Sequence, residues 1–221
     1  MTDQDYKGIN TNLSYFTLRK IIGWLGLLLP WTIWIVSGTY EKSISAYYYT
    51  VSGVIFTSVI AILGVFLISY RGYQKQDEKI SDNVITWIAG VLIIIVAAVP
   101  SLYPYQIEDC PTPICHQSEF WGAFHFGSAA AFFIAMGYLS AFHFTRGHKP
   151  ISSDKYTRNI IYRFCGFGMW VVLGLTGILF FIFNLRGHLV FWSEVILLVL
   201  FGASWCIKGK SLVDLGIQKD D

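Results

Sequence analysis

The chain predicts an all-α fold, a polytopic membrane bundle of six transmembrane helices with both termini cytoplasmic. Three observations carry this. Of the 221 residues, 54% are hydrophobic and only 14% charged, against about 45–50% and about 25% in a soluble domain. Six apolar stretches follow one another along the chain. Basic residues concentrate in the segments that share one side when those stretches alternate across a bilayer.

The stretches are 21–37, 52–69, 84–100, 120–144, 164–183 and 189–207. A hydrocarbon core about 30 Å thick needs roughly 20 helical residues at 1.5 Å each, so the shortest stretches cross with some bilayer thinning or with help from flanking aromatics. The domain organisation is a tail over 1–20, one membrane domain over 21–207 and a tail over 208–221, with no remainder long enough for a second core.

In the first stretch, Pro30 removes a backbone donor, and the freed carbonyl has to face neighbouring helices because lipid offers it no partner. The connection after it contains Glu41, Lys42, Ser43, Ile44, Ser45 and Ala46, then Tyr47, Tyr48 and Tyr49, which read as an interfacial aromatic belt. The second stretch stops at Tyr70, Arg71, Gly72 and Tyr73, and the charged residues of 74–83 read as solvated. Small residues at 127–131 in the fourth stretch, and Gly166, Trp170, Gly174 and Gly177 in the fifth, read as packing seams. In the sixth, Glu194, Leu198, Phe201 and Trp205 share a face at three- and four-residue steps, with Trp205 as a boundary anchor.

Fourteen of the sixteen basic residues lie in the N-terminal tail, the second and fourth connections and the C-terminal tail; Lys42 and Arg186 are the exceptions. By the positive-inside rule those four segments are cytoplasmic, which places the protein in a bacterial inner membrane with the bilayer as its partner. The basic clusters read as headgroup contacts rather than a nucleic-acid surface. Oligomeric state is not legible. The first twenty residues are polar and do not resemble a cleaved signal peptide. Cys110 and Cys115 lie in the third, outward-facing connection, where a disulfide is permitted. The expectation is a Cys110–Cys115 bridge, with a metal-binding pair as the rival, in a loop stiffened by Pro100, Pro104, Pro111 and Pro113.

Chemistry concentrates at the outer end. Glu194 is the single charged residue inside the six stretches and lies about 8 Å into the last one. An intramembrane carboxylate faces a partner or a polar cavity. His125 sits at similar depth in the fourth stretch, and Glu41, Ser43 and Ser45 lie in the outer connection beside it. These five residues form a candidate outward-facing polar pocket for binding or moving a lipid or small solute. Other readings stay open: a structural polar network or scaffold without a ligand, and a membrane-embedded metal-dependent hydrolase. The hydrolase would use His116, His125, His188 and Glu194 as zinc ligands, or Ser43 or Ser45 as nucleophile with His125 as base. No cofactor is expected outside the metal reading. His143 and His148 fall at the opposite end.

Three runs carry a resemblance: Glu41-x-Ser43-Ile44-Ser45-Ala46-Tyr47-Tyr48, Tyr70-Arg71-Gly72-Tyr73, and Phe201-Gly202-x-Ser204-Trp205-x-x-Lys208-Gly209. Together they resemble uncharacterised bacterial six-span integral membrane proteins. The short outer loop with its Ile-Ser pair is also similar to that of the DRAM-like proteins of eukaryotes. Both resemblances imply six spans and neither implies a catalytic set. Membrane ceramidase-like hydrolases carry zinc-binding histidines, including a close pair in the last span, that have no counterparts here.

Overall fold

The computed structural model describes residues 11–72, 80–103, 105–112, 114–146, 153–184 and 187–210. Its described residues contain helices and no strands. Six principal helices follow in order: α1 (Thr11–Ser37), α2 (Gly53–Ser69), α3 (Asp82–Ala98), α4 (Glu119–Tyr138, prolonged by a π-helical turn over Leu139–His143), α5 (Ser153–Phe181) and α6 (His188–Lys208). Among the described residues, four regions are long and apolar enough to cross a membrane: Phe16–Ser37, Glu119–His143, Asp154–Phe181 and His188–Lys208. The other two helices, α2 and α3, have 17 residues each, about 26 Å of rise.

The outside of the bundle carries many large apolar side chains. Ile35, Val54 and Phe181 are 78%, 77% and 83% exposed, and α5 shows Ile160, Phe164, Phe167, Val171, Leu175 and Ile178 along one face. Such continuous apolar surface is rare on soluble monomers and is the expected covering for a protein bathed in acyl chains.

Each helix packs on the next, and α1 closes against α6, so the six form a ring in chain order with α4 and α6 touching across its middle. The buried face of α6, with Leu198, Phe201 and Trp205, supplies that middle, and Phe132 of α4 meets Phe201 at 5.5 Å between ring centroids. Pro30 is buried inside the bundle.

Three of the helix contacts are glycine crossings. A Cβ on Gly23 would stand 2.8 Å from the Gly202 carbonyl oxygen, and one on Gly202 would stand 2.6 Å from that of Gly23. Gly64 and Gly90 join α2 to α3 the same way, at 3.0 and 2.7 Å, and Gly137 and Gly166 join α4 to α5, at 3.0 and 2.5 Å. No side chain fits in these crossings, so the backbones themselves touch, which is how helices gain packing energy where lipid competes equally for apolar surface.

Several sequence expectations are corrected here. The first and fifth helices begin at Thr11 and Ser153, not 21 and 164, because polar turns that hydropathy excludes still continue a helix. The helices extend beyond the apolar stretches and so also carry Arg19, Lys20, Asp82, Glu119, Asp154, Lys155, Arg158, Arg163 and Lys208, while Glu194 stays the single charged residue within the stretches themselves. The seam at 127–131 is not the α4 crossing point: a Cβ on Gly127, Gly174 or Gly177 would meet nothing within 4 Å, whereas Gly137 and Gly166 are in contact. Tyr47 is not part of a belt but fully buried, and Trp205, 1% exposed, is a core residue rather than an anchor. Residues 1–10 and 211–221 of the expected tails lie outside the described residues, as do Tyr73, Lys75, Lys79, Pro104, Pro113, His148, Lys149 and Arg186.

The crossings separate tight glycines from idle ones. Gly166→Leu is expected to lower stability by about 1–3 kcal/mol, read as a drop in the thermal unfolding midpoint in detergent. Gly174→Leu, which meets open space, is expected to leave the midpoint unchanged.

Candidate functional site

Helix α1 ends at Gly38, whose φ of +67° is the left-handed turn that frees the chain to reverse. The connection to α2 then folds inward over the end of the bundle instead of lying flat on it. Ser43, Ile44, Ser45 and Tyr47 are all buried, and Ser45–Tyr49 winds as a short 3₁₀ turn. Ser43 holds that turn, its Oγ accepting the Ala46 N–H at 3.0 Å. The Tyr47 hydroxyl donates to the Thr39 carbonyl at 2.9 Å and accepts the Glu41 N–H at 3.4 Å. The partly buried Glu41 takes a hydrogen bond from Thr39 Oγ1 at 3.0 Å.

Two helices grip this loop from the bundle side. Glu194, two turns into α6 and half-buried, accepts the Ile44 N–H and faces the adjacent Ser45 N–H. One turn earlier on the same helix, the Phe191 N–H donates to the Lys42 carbonyl at 3.1 Å. A carboxylate inside an apolar bundle is costly unless hydrogen-bonded, and backbone donors that would otherwise be orphaned meet that need. From α4, His125 is completely buried. Its Nε2 lies 2.8 Å from Ser45 Oγ and its Nδ1 2.5 Å from the Val99 carbonyl oxygen. A carbonyl only accepts, so Nδ1 carries the proton of the neutral ring and Nε2 accepts the Ser45 hydroxyl.

The connection between α3 and α4 completes this end. His116 Nε2 donates to the Pro100 carbonyl at 2.8 Å, and the Tyr49 hydroxyl donates to the Ser101 carbonyl at 2.5 Å, linking the two connections. Burial pushes the Tyr49 phenol up to about 12, so it stays a donor at any physiological pH. Cys110 and Cys115 are disulfide-bonded with Cα atoms 6.1 Å apart.

The structure therefore brings Glu194, His125 and Ser45 into one network, but through the loop: the acid and the histidine do not bond each other; they hold consecutive residues of the same turn. Ser43 and Glu41 belong to the loop's own bonding. The zinc set is not assembled. His116 and His125 each bond a carbonyl at the end of α3, His188 stacks on Tyr40 at 4.0 Å between centroids, and Glu194 binds backbone N–H groups. Among the described residues, no group of three or more His, Cys, Asp or Glu side chains is placed to hold a metal ion.

The opposite end holds a polar cluster that sequence reasoning missed. Asp82 Oδ1 lies 2.6 Å from His143 Nδ1, both side chains buried, where the π-helical turn presents His143 to the start of α3. Gly72 sits against Asp82 where no Cβ would fit. Arg19 donates to the Tyr70 hydroxyl at 3.2 Å, Lys208 Nζ lies 4.8 Å from the Phe144 ring centre, and Trp205 meets Tyr70 and Phe144 edge-on. Ser81 and Asp82 open α3 with a capping pattern, Ser81 accepting the Val84 N–H, and that pattern was the available signal that Asp82 belongs to the helix. Compared with protein-family models, curated proteins and solved structures, the chain matches none.

Proposed function

We propose that the chain is an integral protein of a bacterial cytoplasmic membrane, that all six helices cross, and that both termini are cytoplasmic. It binds a lipid or small polar solute at its outer end, around Glu194 and His125. The charge distribution supports the topology. Among the described residues, Arg19, Lys20, Arg71, Arg146, Lys155, Arg158, Arg163, Lys208 and Lys210 lie at or beyond the ends of the helices away from the clamped loop, and Lys42 lies beside it. Retention of basic residues in the cytoplasm orients such a bundle. The disulfide falls at the Lys42 end, consistent with an oxidising exterior.

One observation carries the binding reading. The partners of Glu194 are backbone N–H groups of a loop, with no cationic side chain paired to it among the described residues. A carboxylate satisfied in this way is available to any ligand whose donors surpass a backbone amide. A primary ammonium does, because charge-assisted hydrogen bonds are roughly twice as strong as neutral ones. The ligand chemistry that fits is an ammonium or polyhydroxyl head, with acyl chains lying on the apolar flank when the ligand is a lipid.

Reporter fusions after residue 221 and in the 104–113 region test the topology: the first is expected to be active only in the cytoplasm, the second only outside. Purified protein tests the binding. Phosphatidylethanolamine is expected to raise the unfolding midpoint more than phosphatidylglycerol does, and Glu194→Gln is expected to abolish that difference. Free ethanolamine in a parallel arm separates a solute site from a lipid site. A Glu194→Gln protein that is less stable but keeps the same lipid response supports a scaffold instead.

A further inference from the structure

We propose that Ser45 and His125 form a nucleophile–base pair, and that the outer site cleaves an acyl ester of the lipid it receives. The inference rests on the binding reading above and adds a reaction to it.

Three arrangements meet at Ser45. Its hydroxyl lies 2.8 Å from His125 Nε2, within the reach a general base needs. The other ring nitrogen bonds the Val99 carbonyl at 2.5 Å, which holds the tautomer in which Nε2 is free to take the serine proton. A serine activated by a histidine that a third group orients is the recurring layout of covalent acyl transfer, whatever the fold. The third arrangement is the pair of adjacent backbone N–H groups at Ile44 and Ser45, of which Ile44 donates to the carboxyl group of Glu194 and Ser45 faces it. Adjacent N–H groups at the nucleophile are what stabilise the oxyanion of a tetrahedral intermediate. Glu194 fills that position in this structure, and an ester oxygen takes it when the carboxylate turns to the ligand's head.

The chemistry balances with water as the single co-reactant. Ser45 Oγ attacks the ester carbonyl carbon while its proton passes to His125 Nε2, and the carbonyl electrons move to oxygen on the two N–H groups. The intermediate collapses, the C–O bond to the alcohol breaks, and His125 returns the proton to that leaving oxygen. Water then adds to the acyl-serine with His125 taking its proton, the Oγ–C bond breaks, and the proton goes back to Ser45, releasing a fatty acid. Ser45 is 6% exposed and His125 fully buried, so substrate entry requires the loop to lift from Glu194. On the topology proposed above, that loop lies at the edge of the outer leaflet, beside the acyl esters of a phospholipid.

The test is covalent labelling of the wild-type, full-length protein in phosphatidylglycerol nanodiscs with a long-chain alkyl fluorophosphonate, which a nucleophilic serine captures as fluoride leaves. Peptide mass analysis is expected to find the adduct on Ser45. His125→Gln is expected to slow its formation about 10²–10⁴-fold, the usual contribution of a general base. Absence of a Ser45 adduct in the wild type overturns the proposal, as does a labelling rate unchanged in His125→Gln. The wild-type adduct decides even where that variant does not fold. If Glu194-dependent stabilisation by phosphatidylethanolamine is observed without a Ser45 adduct, the binding reading stands and this one falls.

Discussion

The hold of one helix on the backbone of one loop organises one end of this molecule. Residues 38–52 connect α1 to α2, and their middle folds inward, burying Ser43, Ile44, Ser45 and Tyr47 away from water. Glu194 and the Phe191 amide of α6 receive that backbone, one as acceptor and one as donor, while His125 of α4 takes the Ser45 hydroxyl. An unmet amide in such a place costs about 1–3 kcal/mol, and a bare carboxylate costs more. Each therefore stabilises the other. The same contacts bring α4 and α6, which meet across the middle of the ring, to a common partner above it.

Below the loop the bundle follows a different rule. Glycine crossings join α1 to α6, α2 to α3 and α4 to α5, and the aromatic face of α6 fills the centre. Packing of this kind is shape-determined and leaves no freedom to slide. The far end returns to polar contacts with the Asp82–His143 pair, and with Arg19 and Lys208 lying over aromatic rings. The loop over 38–52 is held by a few hydrogen bonds rather than by interlocked backbones.

What the sequence could and could not reveal follows from this division. Helix positions were legible because apolar runs of the right length have few alternatives. The starts of α1 and α5 were not, since hydropathy registers the lipid-embedded part of a helix and misses its polar turns. Glu194 and His125 stood out because charge and imidazole are rare at such depth. Their common partner did not, because nothing in Ile44-Ser45 announces that a loop turns inward. The three tyrosines illustrate the same blindness: composition and position suit a belt, yet Tyr47 is wholly enclosed and bonds its own loop. Asp82 was assigned to solvent with its charged neighbours, although Ser81 before it marked a helix start. The four proposed zinc ligands lie at one end of the bundle, but their side chains are committed to carbonyls, a tyrosine ring and a backbone amide rather than to one point.

Hydrogen–deuterium exchange across residues 38–50, compared between the wild type and Glu194→Ala in the same detergent, reads the hold of α6 on the loop most directly. The account requires slow exchange at Ile44 and Ser45 in the wild type and a loss of that protection in the variant, with α2 and α3 unchanged. Equal, fast exchange of the segment in both proteins would contradict it.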